Sequence, residues 1–426
     1  MKRILFTALT LVCVMAASAQ SGTNSPYSQY GVGVLSDNGT GFNRAMGGVG
    51  QGFHEGNQVN YLNPASYAAV DSLTFVFDVG ATLQLTNFSE NGRRLNARNA
   101  DIEYAVATFR VMKGLGASFG IVPFSNIGYN YGYNEFAGSD NSLTRTTNYT
   151  GEGGIRNMYF GAAWSPIKGL RIGANIGYLW GDYTKAVNTT FSDSYINTLS
   201  RTYAAECSSW KLDLGLQYTQ KITSSDNVTI GLTYTPGHAL SGDVTMNSVS
   251  TNSQTSVTET TDYNLPDALF LPTQMGGGLA WYHGRKWRVG ADYSLQKWTE
   301  KPFPTYDGNN YKLADNVLMD RQRVALGGEF VPDALSRKYL NRVHIRGGVS
   351  YSTPYVKVNG QDGPKSMSAS LGFGLPITNA YNNRSLLNVS AEWCRNAAKG
   401  MITENVFRIN IGLTFNERWF QKWKVE

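Results

Sequence analysis

Between Asn405 and Phe415 the chain alternates without a break. Phe407, Ile409, Ile411, Leu413 and Phe415 fall on one face, and Arg408, Asn410, Gly412 and Thr414 on the other. Successive side chains of a strand point to opposite sides of a sheet, so this is a β-strand with a single apolar face. The pattern recurs about a dozen times, with Gly, Ser, Thr, Asn and isolated charges on the second face. No helical stretch is available to cover the apolar faces. A sheet that is greasy on one side, wet on the other and uncovered predicts a transmembrane antiparallel β-barrel, apolar outside and polar within.

The N-terminus supplies a route to a membrane. Met1, Lys2 and Arg3 are followed by an apolar run from Ile4 to Ala16 and by Ala17-Ser18-Ala19, which together read as a secretory signal peptide over residues 1–19. The mature chain is expected to begin at Gln20. Cys13 lies inside the apolar run, away from the cleavage point, which argues against a lipoprotein anchor. After residue 19 nothing has the roughly 18 apolar residues of a membrane helix, so a spanning structure here has to be a barrel.

Composition fits a barrel: 16% charged residues, 12% aromatics and 46 glycines are unusual for a soluble enzyme of this length. Composition alone also admits a secreted sandwich or propeller. Cys207 and Cys394 are far apart and give no disulfide framework, and His54, His238, His283 and His344 are scattered, so no metal, cofactor or catalytic set is expected. A net charge of +6 without a basic block gives no reason to expect nucleic acid as a partner.

Residues 20–70 do not alternate. They are rich in Gly, Asn and Ser, as in Met46-Gly47-Gly48-Val49-Gly50 and Asn63-Pro64-Ala65, and they predict a hatch packed inside the barrel. The glycines lack the strand, lysine and spacing of a phosphate-binding loop. Strands are expected at 72–88, 99–112, 115–124, 154–165, 169–183, 203–221, 227–236, 273–282, 287–299, 320–331, 342–353, 366–375, 385–395 and 404–415, about fourteen, an even number as single-chain barrels require. Tight turns alternate with longer joins at 89–98, 125–153, 184–202, 237–272, 300–319, 354–365 and 396–403. Such asymmetry separates periplasmic turns from outer loops, and a sandwich gives no reason for it. The barrel is thus expected over 71–415, with a periplasmic tail at 416–426. Trp164, Trp180, Trp298 and Trp393 lie near strand ends, as interfacial girdles do. Lys211, Asp213, Asp292, Arg323, Glu329, Arg346, Glu392 and Arg408 fall on the polar face and are expected to form a lumen network that holds the hatch. The terminal strand, with Phe407 and Phe415, looks like the signal read by outer-membrane insertion machinery.

The order of several short motifs resembles the FadL/TodX family of long-chain fatty acid and hydrocarbon transporters. They are Met46-Gly47-Gly48-Val49-Gly50 leading to Asn63-Pro64-Ala65, then Gly231-Leu232-Thr233-Tyr234, His238 to Asp243, Leu271-Pro272-Thr273, Asp292-Tyr293 and Trp298. The resemblance implies a fourteen-stranded barrel in the outer membrane of a Gram-negative bacterium, plugged by an N-terminal hatch. It also implies passive uptake of a hydrophobic ligand through the hatch and often sideways through a strand kink, near which Asn63, Pro64 and Ala65 would lie. Met46, Gly47 and Gly48 join them as gating candidates. Ser66-Tyr67 stand where the family's Gly-Leu is expected, and 245–261 is almost free of large apolar residues. These departures, with the Trp419, Phe420 and Trp423 tail, support an alternative reading: a non-transporting accessory barrel in an outer-membrane protein complex. The first reading of that tail is nonetheless a periplasmic interfacial belt that anchors the barrel, ahead of a partner-binding peptide.

Overall fold

The computed structural model describes residues 22–36, 39–137, 142–377 and 385–417. The expected signal peptide, and all but the first two residues of the expected tail, lie outside them.

Burial along the last strand is inverted relative to a soluble protein. Phe407, Ile409 and Ile411 are 47, 50 and 41% exposed, whereas Asn410 and Thr414 are 3 and 0% exposed. Apolar side chains face outward to the bilayer and the polar ones are buried in the lumen, as the alternation requires.

Fourteen strands make the barrel wall. They are β1 (Phe75–Glu90), β2 (Arg93–Met112), β3 (Leu115–Ala137), β4 (Leu143–Ile167), β5 (Leu170–Phe191), β6 (Thr198–Lys221) and β7 (Asp226–Thr235), followed by β8 (Thr273–His283), β9 (Trp287–Lys297), β10 (Arg321–Phe330), β11 (His344–Ser352), β12 (Lys365–Ile377), β13 (Ser385–Ala397) and β14 (Thr403–Glu417). Each pairs antiparallel with its neighbours in sequence, and β14 pairs with β1 from Glu417↔Phe75 to Thr403↔Ser89, which closes the sheet.

Several joins expected as loops are strand. The 125–153 join is the β3–β4 hairpin continued from Asn126↔Gly154 to Ala137↔Leu143, and the 184–202 join is largely β5–β6 continued to Thr189↔Leu199. The 89–98 join is a tight turn at Asn91 and Gly92, both with positive φ. Above the membrane a strand no longer needs an apolar face, so the apolar–polar period vanishes, while Thr and Tyr keep their preference for extended backbone. The 237–272 join holds a hairpin, Asp243–Thr251 with Thr258–Pro266, that extends the wall from β6. Shorter hairpins fold over the mouth. Trp298, expected at the lipid interface, is 1% exposed and packs on Tyr355 in an apolar cluster under these hairpins with Ile127, Leu179, Met246, Leu271 and Val356. It lies just beyond β9, where the chain turns inward. Trp164 and Trp393 are exposed on the outer face.

The wall is interrupted at one seam. β2 and β3 pair only from Met112↔Leu115 to Ala105↔Ile121. Beyond that, β2 continues beside β1 alone, after a bulge that leaves Glu103 without a partner on β1, and β3 continues beside β4.

Candidate functional site

The lumen holds the only stretch of the described chain that is polar, non-periodic and buried at once. Residues 39–70 carry a short helix, α1 (Gly41–Arg44), capped by Thr40, whose N–H donates to Asn43 Oδ1 at 3.2 Å. Asn43 Nδ2 donates to Val49 O at 2.9 Å, and Gly47 and Gly48, at φ +67 and +77, turn the chain sharply between them. Asn63 caps the 3-10 turn Pro64–Ala69 by accepting from the Ala65 N–H. Phe42, Met46, Val49 and Phe53 are fully buried.

Glycines on the inner face of the wall let the hatch backbone come this close. A Cβ at Gly116 would overlap Tyr67 O, one at Gly231 would overlap Gln51 O, and Cβ atoms at Gly327 and Gly348 would overlap Met46. Pro64 lies against Gly173 and Gly215 on β5 and β6. The Asn63-Pro64-Ala65 motif therefore sits on that wall.

Each residue expected in the lumen network does face inward, because a charge at mid-bilayer depth on the outer face costs roughly 2–4 kcal/mol for Arg or Lys. Asp292 Oδ2 accepts from the Gly50 and Gln51 N–H groups at 2.6 and 2.9 Å, and Arg323 donates to Gly47 O at 2.6 Å. Gly47 N–H donates to Ser370 on β12 at 2.9 Å. Glu329, with its side chain fully buried, accepts from Arg346 Nε at 2.6 Å, pairs with Arg288, and lies 2.9 Å from His344 Nδ1. Arg346 also donates to Asn388 at 2.5 Å. Arg408 lies 3.4 Å from Glu392. Lys211 pairs with Asp213, which also accepts from Thr235 at 2.6 Å.

Other partners were not legible in the sequence. Arg44 pairs with Glu103 at 2.9 Å, and Glu55 with Arg288 at 3.1 Å. Gln217 donates to Gln51 O and Phe53 O at 2.9 and 3.0 Å. Arg44 and Glu55 stand in the hatch, which has no period to place them, and Glu103 occupies the bulge, where the strand's alternation slips. Burial, reinforced by Arg171, lowers the His54 pKa to about 3, so His54 is neutral against Tyr282.

The mouth side is filled as well. Tyr355 donates to Gly33 O, and Lys185 donates to Gln29 O and Gly31 O at 3.0 and 2.7 Å, which pins residues 29–33 beneath the apolar cluster. A concavity of about 800 Å³ opens on the outer face of β3–β8 among Leu115, Trp164, Ile172, Leu214, Leu232 and Met275. The packing holds a plug.

A family model described as BamG matches residues 1–426. A search of curated protein sequences finds no match. Among solved structures, the Pseudomonas putida toluene transporter TodX aligns with a TM-score of 0.62 at 14% identity, covering 91% of this chain and 100% of that one. The CymD monoaromatic hydrocarbon channel gives 0.57 at 15% identity, covering 89% of this chain and 97% of that one. A Pseudomonas aeruginosa FadL homologue gives 0.57 at 10% identity, covering 90 and 98%. These likenesses establish the fold of hatch-plugged outer-membrane channels.

Proposed function

This chain belongs to the BamG family, and from that premise we propose that it is a non-conducting barrel subunit of an outer-membrane protein assembly. The observation that carries this reading is the packing of the lumen. Hatch backbone lies directly on wall glycines, the hatch is tied to β2 at Glu103, to β9 at Asp292 and Arg288, to β10 at Arg323 and to β11 through Arg346 and Gln58, and the chain's own Trp298, Leu271 and Tyr355 fill the mouth. In this reading residues 1–19 direct export, and Phe407 and Phe415 of the terminal strand are recognised by the insertion machinery of a Gram-negative outer membrane. No chemical step belongs to this role, and Met46, Gly47, Gly48, Asn63, Pro64 and Ala65 then act as anchors of a fixed plug.

Passive uptake of hydrophobic small molecules such as long-chain fatty acids is the second reading. It is favoured by the interrupted β2–β3 seam and by the fold shared with hydrocarbon channels. Liposomes containing the purified protein separate the two. A sealed subunit leaves entry of a fluorescent fatty acid at the rate of empty liposomes, across a range of apolar tracers. Faster entry that depends on residues 20–70 would establish the conduit instead.

A further inference from the structure

The β2–β3 seam is a gap in the ladder of the wall, and part of it is filled by the chain itself. Gly22 lies against both Asp101 on β2 and Asn126 on β3, so a single chain spans the gap there. Asn24 donates to Arg98 O on β2 at 3.0 Å. Val34 and Leu35 pair antiparallel with Asn126 and Ser125, and Ser36 N–H donates to Phe124 O at 3.0 Å. Ser28 Oγ accepts from the Gly128 N–H at 3.1 Å and lies 3.3 Å from its carbonyl oxygen, standing in for the next strand residue.

Phe124, Asn126 and Gly128 thus turn their backbone groups into the slot. By the two-residue period, Asn130, Gly132 and Asn134 do the same. Among the described residues, no strand pairs with β3 at these three positions on that side, and residues 93–97 of β2 pair only with β1. The free stretch lies 15 residues and more from the turn at Lys113-Gly114, past the ten or so residues that cross a bilayer. An open edge of this kind accepts an added strand, main-chain hydrogen bonds giving affinity and alternate side chains specificity.

Resting on the subunit reading above, we propose that the upper β2–β3 slot is a β-augmentation site for an extended, acidic segment of a partner protein. The chain's own Val34-Leu35 bridge demonstrates that this edge takes an antiparallel strand. The opposite rim sets the charge: Arg93, Arg94 and Arg98 are exposed, and none has an ion pair among the described residues. On the lumen side Tyr131, Tyr133 and Tyr149 form a stacked ladder, with ring centroids 5.1 and 6.0 Å apart, against which alternate apolar side chains of the added strand would pack.

The test uses full-length protein in its own membranes, with photoreactive benzoylphenylalanine at Leu95 or at Phe136. Both positions are expected to capture the same acidic stretch of one stoichiometric partner. Asn134→Pro removes a slot-facing N–H on an edge that tolerates proline, while Asn134→Ala keeps it. The proline variant and the triple change R93E/R94E/R98E should each lower partner recovery at least about tenfold, with the alanine variant unchanged. A partner recovered undiminished from both variants, or cross-linked only at other surfaces, overturns the slot but leaves the subunit reading standing. A barrel recovered alone removes both, and capture of an apolar small molecule by Leu95 and Phe136 would make the slot a ligand exit.

Discussion

Glu329→Ala should loosen the hatch more than any other single truncation of a side chain. The carboxylate is completely buried and holds Arg346 and Arg288, the wall groups that reach the hatch at Gln58 and Glu55. Its removal leaves the fully buried Arg346 guanidinium without an ion pair, and breaking a buried pair in this way costs about 3–5 kcal/mol. The barrel's hydrogen-bonded wall does not depend on this group, so the strands should persist while the plug moves. The expected result is a lower midpoint of heat-modified migration on a gel, together with new protease cleavage within residues 39–70. Exchanging the cluster for apolar residues, with Glu329→Leu and Arg346→Met together, should recover part of the loss, because the cost lies in the orphaned charge and not in the absent pair. An unchanged midpoint for Glu329→Ala would remove the network from the account of how the plug is held.

Gly348→Val should act on the hatch by volume alone. A Cβ there would overlap the backbone of Met46, and Gly47 N lies 2.5 Å from the same point. Backbone cannot rotate away as a side chain can, so the hatch must shift, at about 3 kcal/mol, the upper end of the usual cost of overpacking. Gly347, the preceding residue, is the internal control. Its Cβ would meet nothing closer than Ser370 O at 3.7 Å, so Gly347→Ala should behave as the parent protein. The pair is read by ion conductance in planar bilayers, where the Gly348 variant opens a path around the displaced plug and the Gly347 variant stays closed. Equal behaviour of the two would mean that the hatch is not seated on the wall.

The barrel was legible because lipid enforces parity. Once Ile409 and Ile411 are assigned outward, Arg408 and Asn410 must face the lumen, and the same reasoning places Asp292, Arg323, Glu329 and Arg346 there. What those groups hold was not legible. The N–H groups of Gly50 and Gln51 on Asp292, and the Gly47 carbonyl on Arg323, belong to a segment without a period. Arg288 alternates in step with Asp292 and so shares its face, but its partner Glu55 could not be found from the sequence. Glu103 was hidden by the bulge between Gly80 and Ala81, which shifts the alternation by one residue. Strand extension beyond the membrane was missed for a related reason. From Thr144 to Thr147 and from Tyr129 to Tyr133 both faces of the sheet are wet or lined by tyrosine, so the signal that marks a strand within lipid is absent there while the strand itself continues.

The most direct test of the central claim is purification of the tagged protein from its own membranes in a gentle detergent, with mass spectrometry of every protein and lipid that stays attached. A sealed accessory subunit predicts stoichiometric partner proteins and a lumen without bound ligand. A solitary barrel that carries a fatty acid or another apolar molecule would contradict it and identify a transporter.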